Sequence, residues 1–314
     1  MVQQERKRPS RRARAVAAFA LAFVGVAAVE LATSRPVEAR PAPAAPVDDL
    51  AFLQDTLGGR SGKLRARILA IRPLTFPFLR RLLGDSADRP GVYTVRPRED
   101  ARPFSFISLV PFHEKVNGRI GRYRIGFWPA EKGRSVRGEK YGNPQGFIEV
   151  TPENKDTRVS EHFKLADFLT HDQVRVWPKY LVLDEALVDK LELVLADLRS
   201  RGYDARRLHV MSGFRTPQYN AGGGETAGRA DLSRHQYGDA ADVWVENGAG
   251  RMADLNRDGR VDTRDAAILA EAADRVERAH PELAGGVGIY RSTRAHGPFV
   301  HIDTRGARAR WGHG

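Results

Sequence analysis

One stretch constrains this chain more than any other: Ser233-Arg234-His235-Gln236-Tyr237-Gly238-Asp239-Ala240-Ala241-Asp242-Val243. It sets a histidine and an aspartate seven positions apart, separated by a glycine and small residues. From Ala240 to Val245 the residues alternate as a strand would, which puts Ala240, Asp242 and Trp244 on one face. A carboxylate on so apolar a strand is costly to bury unless its charge is compensated. A metal ion would compensate it, and His235 in the preceding loop is close enough to fold back onto the same ion. Downstream, Phe299-Val300-His301-Ile302-Asp303 also alternates, with Phe299, His301 and Asp303 on one face. Two histidines and one carboxylate leave a fourth position open for water, the ligand count of a catalytic zinc site. The plainer alternative is three unrelated polar residues.

Three ordered blocks bear on that choice. They are Ser212-Gly213-Phe214-Arg215-Thr216-Pro217-Gln218-Tyr219-Asn220, then His235 with Tyr237-Gly238-Asp239-Ala240-Ala241-Asp242, then Gly285-Gly286-Val287-Gly288-Ile289-Tyr290 followed by Phe299-Val300-His301-Ile302-Asp303. With these spacings, residues 158 to 312 resemble the zinc D-Ala-D-Ala carboxypeptidases and murein endopeptidases, whose metal-site architecture is shared with lysostaphin and sonic hedgehog. The resemblance implies zinc on His235, Asp242 and His301. It implies an arginine, Arg215, that steadies the substrate or the developing oxyanion. Ser212, Tyr219, Asn220 and Gln236, in or beside the blocks, become candidate substrate contacts. The implied reaction is hydrolysis of a peptide bond in peptidoglycan stem peptides or crosslinks.

The chain departs from much of that family at one place. Many members carry an acidic residue three positions before the last histidine ligand, or a histidine two before it. Pro298 and Phe299 occupy those positions. The general base is therefore open among His296, Asp303 and Asp239, and Asp303 could equally support His301 from behind. The departure also leaves room for a second reading, a zinc-containing module that binds peptidoglycan without cutting it.

Composition narrows the partners. The 314 residues contain no cysteine, which excludes thiolate ligands, disulfides and a cysteine nucleophile together. The formal net charge is +12, of which residues 1 to 39 supply +4. A strongly basic protein attracts anionic polymers. No nucleic-acid-binding motif accompanies the charge, so cell-envelope material is the expected partner and nucleic acid is not. The protein is expected to be a monomer.

The chain opens with Arg6, Lys7, Arg8, Arg11, Arg12 and Arg14, followed by an apolar run from Ala15 to Ala32. This reads as an export signal with a cleavage pattern at Val37-Glu38-Ala39, or as a retained membrane anchor. The expected location is the periplasm or cell envelope. Residues 40–49 form a Pro/Ala linker. Leu50 to Leu83 is expected to be mostly helical. From Gly91 to Val150 short strands separated by Gly, Pro and Asn predict a separate small β-rich module within residues 50–155. Its Tyr123, Phe127 and Trp128 either bind glycan or peptide, or pack as core. Within residues 158–314 a helix is predicted from Asp184 to Arg201, capped by Asp184 and buried along Leu187, Leu191, Val194, Leu195 and Leu198. The fold class is α+β, a small antiparallel sheet carrying the zinc site and flanked by helices.

A second chemical motif lies between the second and third zinc candidates. Asp254, Asn256, Asp258, Asp262 and Asp265 fall at loop positions 1, 3, 5, 9 and 12, with Gly259 at 6 and the Arg260 carbonyl at 7. That is the calcium-loop pattern of EF-hands, and an aspartate at position 12 resembles dockerin loops. Calcium is the expected ion, in a structural role. The alternative is a polar turn that caps the helix predicted from Ala266 to Ala279.

Overall fold

A computed structural model of the protein describes residues 58–69, 89–96, 102–133, 138–222, 230–248 and 250–312. The expected signal or anchor, the Pro/Ala linker and much of the expected helical lead lie outside the described residues. No helix among the described residues is long and apolar enough to cross a membrane.

The fold is mixed, with small sheets and few helices. Among the described residues thirteen strands run in chain order: β1 (Ala66–Leu69), β2 (Gly91–Val95), β3 (Phe104–Ser108), β4 (Val110–Pro111), β5 (Arg119–Ile120), β6 (Tyr123–Arg124), β7 (Gly146–Val150), β8 (Lys179–Leu181), β9 (Arg207–Ser212), β10 (Ala240–Glu246), β11 (Gly286–Tyr290), β12 (Phe299–Asp303) and β13 (Ala309–Trp311). The α-helices among the described residues are α1 (Glu185–Ser200), α2 (Pro217–Gly222) and α3 (Thr263–Ala279). The largest sheet has five strands in the order β13-β11-β12-β10-β9. It is antiparallel except at its edge, where β13 joins β11 parallel.

Alternation explains how this sheet is faced. Ala241, Val243 and Val245 of β10 and Val300 and Ile302 of β12 are buried with α1 and α3 in one core. Asp242 and His301 therefore point to the opposite face, as their positions in the strands require. α1 starts where Asp184 accepts a hydrogen bond from the Ala186 amide at 2.9 Å, and its predicted stripe is buried. α3 is capped by Asp262 and buries Ala266, Leu269, Ala273 and Val276. The helices thus cover one face and leave the other to the functional side chains.

Three expectations are corrected. Within the described part of Leu50 to Leu83, residues 66–69 form strand β1 and not helix. β1 pairs parallel with β3, a distant partner that no local pattern reveals. The β-rich segment is also not separate. Leu64, Ile107, Tyr123, Trp128 and Phe147 belong to the same buried core as Leu191, Val243 and Val300. Tyr123 and Trp128 are accordingly core residues at 1% and 0% exposure, while Phe127 is 46% exposed. Of the short strands expected from Gly91 to Val150, the one read from Tyr123 to Trp128 shrinks to Tyr123–Arg124.

A buried ion pair ties the helices to the sheet. Lys190 of α1 is fully buried, and its Nζ donates to Glu277 Oε1 of α3 at 2.7 Å and to the Asp303 carbonyl at 2.7 Å. Glu277 also accepts from the Gly285 amide at 3.0 Å and pairs with Arg310. Removing one member of such a pair strands charge in the core, at a cost of about 3–5 kcal/mol. Lys190→Met, which keeps most of the volume, should therefore lose stability on that scale in urea unfolding. A loss below ~1 kcal/mol would show that the pair is not needed to hold the end of β12.

Candidate metal centre

The site is built on one register row. Across the sheet, Ser212 pairs with Asp242, Asp242 with His301, His301 with Gly288 and Gly288 with Trp311. Residues in register share a face, so four side chains line one track across five strands. Gly288 sits where a Cβ would lie 2.2 Å from Trp311 Nε1. Its missing side chain lets the Trp311 ring lie against His301, with centroids 5.2 Å apart. His235 enters from the 3-10 turn Arg234–Tyr237, which ends at Gly238 with φ +73°. A Cβ on Gly238 would lie 2.3 Å from the Val182 carbonyl oxygen, so this turn admits only glycine without rearrangement.

Three acceptor atoms converge. His235 Nε2 lies 3.2 Å from Asp242 Oδ1 and 3.2 Å from His301 Nδ1, and His301 Nδ1 lies 3.0 Å from Asp242 Oδ1. The outer ring nitrogens are committed elsewhere: His235 Nδ1 donates to the Gly213 carbonyl at 2.7 Å and His301 Nε2 donates to Asp303 Oδ2 at 3.0 Å. With the protons held outside, both imidazole lone pairs and one carboxylate oxygen face a common point. Ligand atoms bound at about 2.0–2.1 Å to one tetrahedral ion lie about 3.3 Å apart, close to the observed triangle. All three residues are buried, and the group can hold a metal ion.

The electrostatics agree with that fit. Burial pushes the His235 ring down, and Arg215 adds to the effect against the pull of Asp242. Burial also acts against the charged form of Asp242, yet His235 and His301 hold its carboxyl well below the usual range. Burial would lower His301, but its hydrogen bonds to Asp242 and Asp303 outweigh it and raise the ring. The cluster therefore draws a positive charge to its centre, which a proton on His301 or a metal ion can supply.

Arg215 braces the aspartate of the metal row. Its Nε donates to Ser212 Oγ at 2.8 Å and its Nη2 to Asp242 Oδ2, so Oδ1 is left to face the histidines. Ser212, expected to contact substrate, is buried and supports Arg215. Gln236 is likewise turned inward: it is buried, its Nε2 donates to the Asp231 carbonyl at 2.8 Å, and its own carbonyl accepts from Trp128 Nε1 at 2.9 Å. Asn220 is buried on α2 and donates to the Ala230 carbonyl at 3.2 Å, while its Oδ1 has no partner among the described residues. Tyr219 is half-buried and lines a cleft beside α2.

The proposed proton acceptors differ in availability. Asp239 is buried and held by both Nε and Nη2 of Arg234. Asp303 is buried behind His301, held by Arg305 and by the Gly286 amide at 2.7 Å. His296 is half-buried, with Nδ1 donating to the Gly297 carbonyl at 2.8 Å and its ring edge-on to Phe299. Sequence reasoning missed Arg234, Arg305 and Trp311. For Arg234 the one signal was its place next to His235. For Trp311 it was the Gly286-x-Gly288 alternation, which clears space on one face.

The acidic loop is closed by its own hydrogen bonds. Asp254 accepts from the amides of Asp258 at 3.2 Å and Gly259 at 2.8 Å, Asn256 from Asp258 at 3.0 Å, and Asp258 from Arg260 at 2.9 Å. Asp265 accepts from Leu255 at 2.7 Å and Asp262 at 2.9 Å. Arg264 pairs with both Asp258 and Asp262.

His235→Ala and His301→Ala should each abolish stoichiometric metal, measured by elemental analysis of purified protein. Asp303→Asn should keep the metal but weaken it about 10–100-fold, the usual effect of altering an outer partner of a ligating histidine. Full metal retention by both histidine variants would reject the centre. Comparison with protein-family models, with curated proteins and with solved structures finds no match to this chain.

Proposed function

We propose that this chain is an exported zinc-dependent peptidase that hydrolyses peptide bonds in peptidoglycan stems or crosslinks, as a D-Ala-D-Ala carboxypeptidase or murein endopeptidase. The observation that carries the reading is the convergence of His235, Asp242 and His301 with Arg215 braced on the same row. Zinc suits a two-histidine, one-carboxylate set with a fourth position left over. When bound, it supplies a polarised water and a Lewis acid for the scissile carbonyl.

The remaining work falls to the chain's own residues. The Gly213 carbonyl and Asp303 hold the outer protons of the two imidazoles, which keeps the inner nitrogens as lone pairs. Arg215 orients Asp242 and sets a fixed positive charge beside the reacting centre, suited to a developing oxyanion. Asp239 and Asp303 are tied to arginines, which favours His296 among the three candidates for proton transfer. Its Nδ1–H is held by Gly297, leaving Nε2 as the acceptor. Commitment of both carboxylates to Arg234 and Arg305 also favours the second reading, a zinc-containing module that binds peptidoglycan without cutting.

Zinc-dependent hydrolysis of purified muropeptides separates the two readings. Arg215→Ala should keep its metal and lose turnover by about two to three orders of magnitude, the effect of removing one oxyanion contact. The native protein should fractionate with the envelope. Absence of hydrolysis by the zinc-loaded protein would leave the binding module.

The loop from Asp254 to Asp265 is proposed to take calcium. The oxygen spacing supports this, with Gly259 at φ +81° where a sharp turn is required. Calcium would displace Arg264 from Asp258 and Asp262. A ligand bound only by the folded state stabilises it by about 2.7 kcal/mol at a hundredfold excess over its dissociation constant. Calcium should raise the melting temperature with zinc held saturating, and the Asp254→Ala, Asp258→Ala double variant should lose the response. Identical melting in calcium and chelator would leave the loop as a helix-capping turn.

A further inference from the structure

Beside α2 lies a cleft of about 560 Å³, lined among others by Arg124, Gln173, Val174, Arg175, Gln218 and Tyr219. We propose that it is a subsite for a carboxylate-bearing part of the peptide substrate, a reading that rests on the peptidase function above.

The walls of the cleft are held in place by specific bonds. Gln173 adopts the left-handed conformation, φ +51°, which is uncommon outside glycine and tends to persist at functional sites. Its side chain grips the backbone of Arg124 twice: Nε2 donates to the Arg124 carbonyl at 2.9 Å and Oε1 accepts from the Arg124 amide at 2.7 Å. Lys179 Nζ holds the same loop from beneath, donating to the carbonyls of Asp172 at 3.0 Å and Gln173 at 2.8 Å. The opposite wall is anchored to the next residues of the same segment. The Gln218 amide donates to the Ile125 carbonyl at 2.9 Å. Gly126 allows the close approach, since a Cβ there would lie 2.7 Å from the Gln218 nitrogen.

The charge of the cleft selects the ligand class. Arg215, Arg234 and Arg305 all face carboxylates of the chain. Arg124 and Arg175 are exposed, and among the described residues no hydrogen bond or ion pair engages either guanidinium. Asp172, also in the wall, sets one carboxyl against the two arginines, so the lining keeps a positive excess. Burial pushes its carboxyl up, and Oδ2 accepts from Gln173 Nε2 at 3.0 Å. Guanidinium groups match carboxylates in geometry and charge, so an acidic group is the complementary ligand. Val174, 75% exposed at the rim, offers an apolar edge for the rest of a peptide.

The position fits a substrate that also reaches the metal row. Gln218 and Tyr219 follow Arg215 by three and four residues. Four extended residues span at most about 14 Å, so a peptide lying at Arg215 needs only a few residues to enter the cleft. Peptidoglycan stems carry free carboxylates on that length scale.

The test uses the zinc-loaded full chain and two matched stem peptides, one with free side carboxylates and one with them amidated. Arg124→Gln/Arg175→Gln should raise KM about tenfold for the free-carboxylate peptide, with kcat within about twofold, the pattern of lost uniform binding. The amidated peptide should be unaffected. A charge-matched control away from the cleft, Arg251→Gln/Arg278→Gln at two exposed arginines, should change neither. Equal effects on both peptides, or the same effect from the control, would overturn the subsite and assign the change to net charge. Should the wild type cut neither peptide, the peptidase reading fails separately, and calorimetric binding of the same two peptides decides the subsite. Preference for the free-carboxylate peptide that the double variant loses upholds it. Equal binding of the two peptides by wild type overturns it.

Discussion

The convergence of two imidazole lone pairs and one carboxylate oxygen depends on where the outer protons are kept. His235 gives its Nδ1 proton to the Gly213 carbonyl, and His301 gives its Nε2 proton to Asp303. Were either bond lost, the ring could rotate or change tautomer, and a donor would then face the other two ligand atoms. The bonds in turn depend on register. Asp242 opposite His301, and His301 opposite Gly288, place Asp303 beside the Gly286 amide that helps to hold it. A slip of one residue on β12 would send His301 into the helix-packed face and bring Ile302 to the metal row.

Buried charge near this row is paired throughout, and the pairing has chemical consequences. Arg234 takes Asp239 while its guanidinium lies over the rings of Tyr141 and Tyr237, at 4.5 and 4.7 Å. Arg305 takes Asp303 and lies 5.4 Å from the Trp311 ring. Despite burial, the bonds from His301 and Arg305 drive the Asp303 carboxyl far below its ordinary range. A carboxylate so stabilised in its charged form is a poor proton acceptor near neutral pH. It is a good anchor for an imidazole, because it stays charged and accepts a hydrogen bond. Asp303 is thus a positioning residue; Asp239 differs, because burial pushes its carboxyl up against the pull of Arg234.

What was legible in the sequence is what local periodicity controls. The alternation of β10 and β12 assigned Asp242 and His301 to one face, and the spacing of Leu187, Leu191, Val194, Leu195 and Leu198 with Asp184 ahead of them defined α1. Long-range partners were not legible. Residues 66–69 become a strand because β3 lies beside them, and β13 joins the main sheet through parallel pairing with β11. Gln236 and Ser212 looked available because they neighbour His235 and Arg215. A residue next to a ligand in sequence is as often a brace as a contact, and only the packing of Trp128 and Arg215 against them decides which. The β-rich segment looked separate because its pattern of short strands differs from the rest. Its inward side chains nevertheless complete the core that the other segments begin.

The acidic loop and the metal row are joined by α3. Asp262 caps the helix and Asp265 accepts three backbone amides at its start, whereas Glu277 near its end holds Lys190, the Gly285 amide and Arg310. Lys190 in turn donates to the carbonyl of Asp303. A cation in the loop would stabilise the first turn of a helix whose last turns brace the strand carrying His301. Ala266, Leu269, Ala273 and Val276 are buried along α3, so the helix has a single packed seat against the sheet. Energy gained in the loop from a ligand bound only by the folded state adds to the stability of the whole unit. That is the physical reason to look for calcium in the melting temperature and not in an on–off change of hydrolysis.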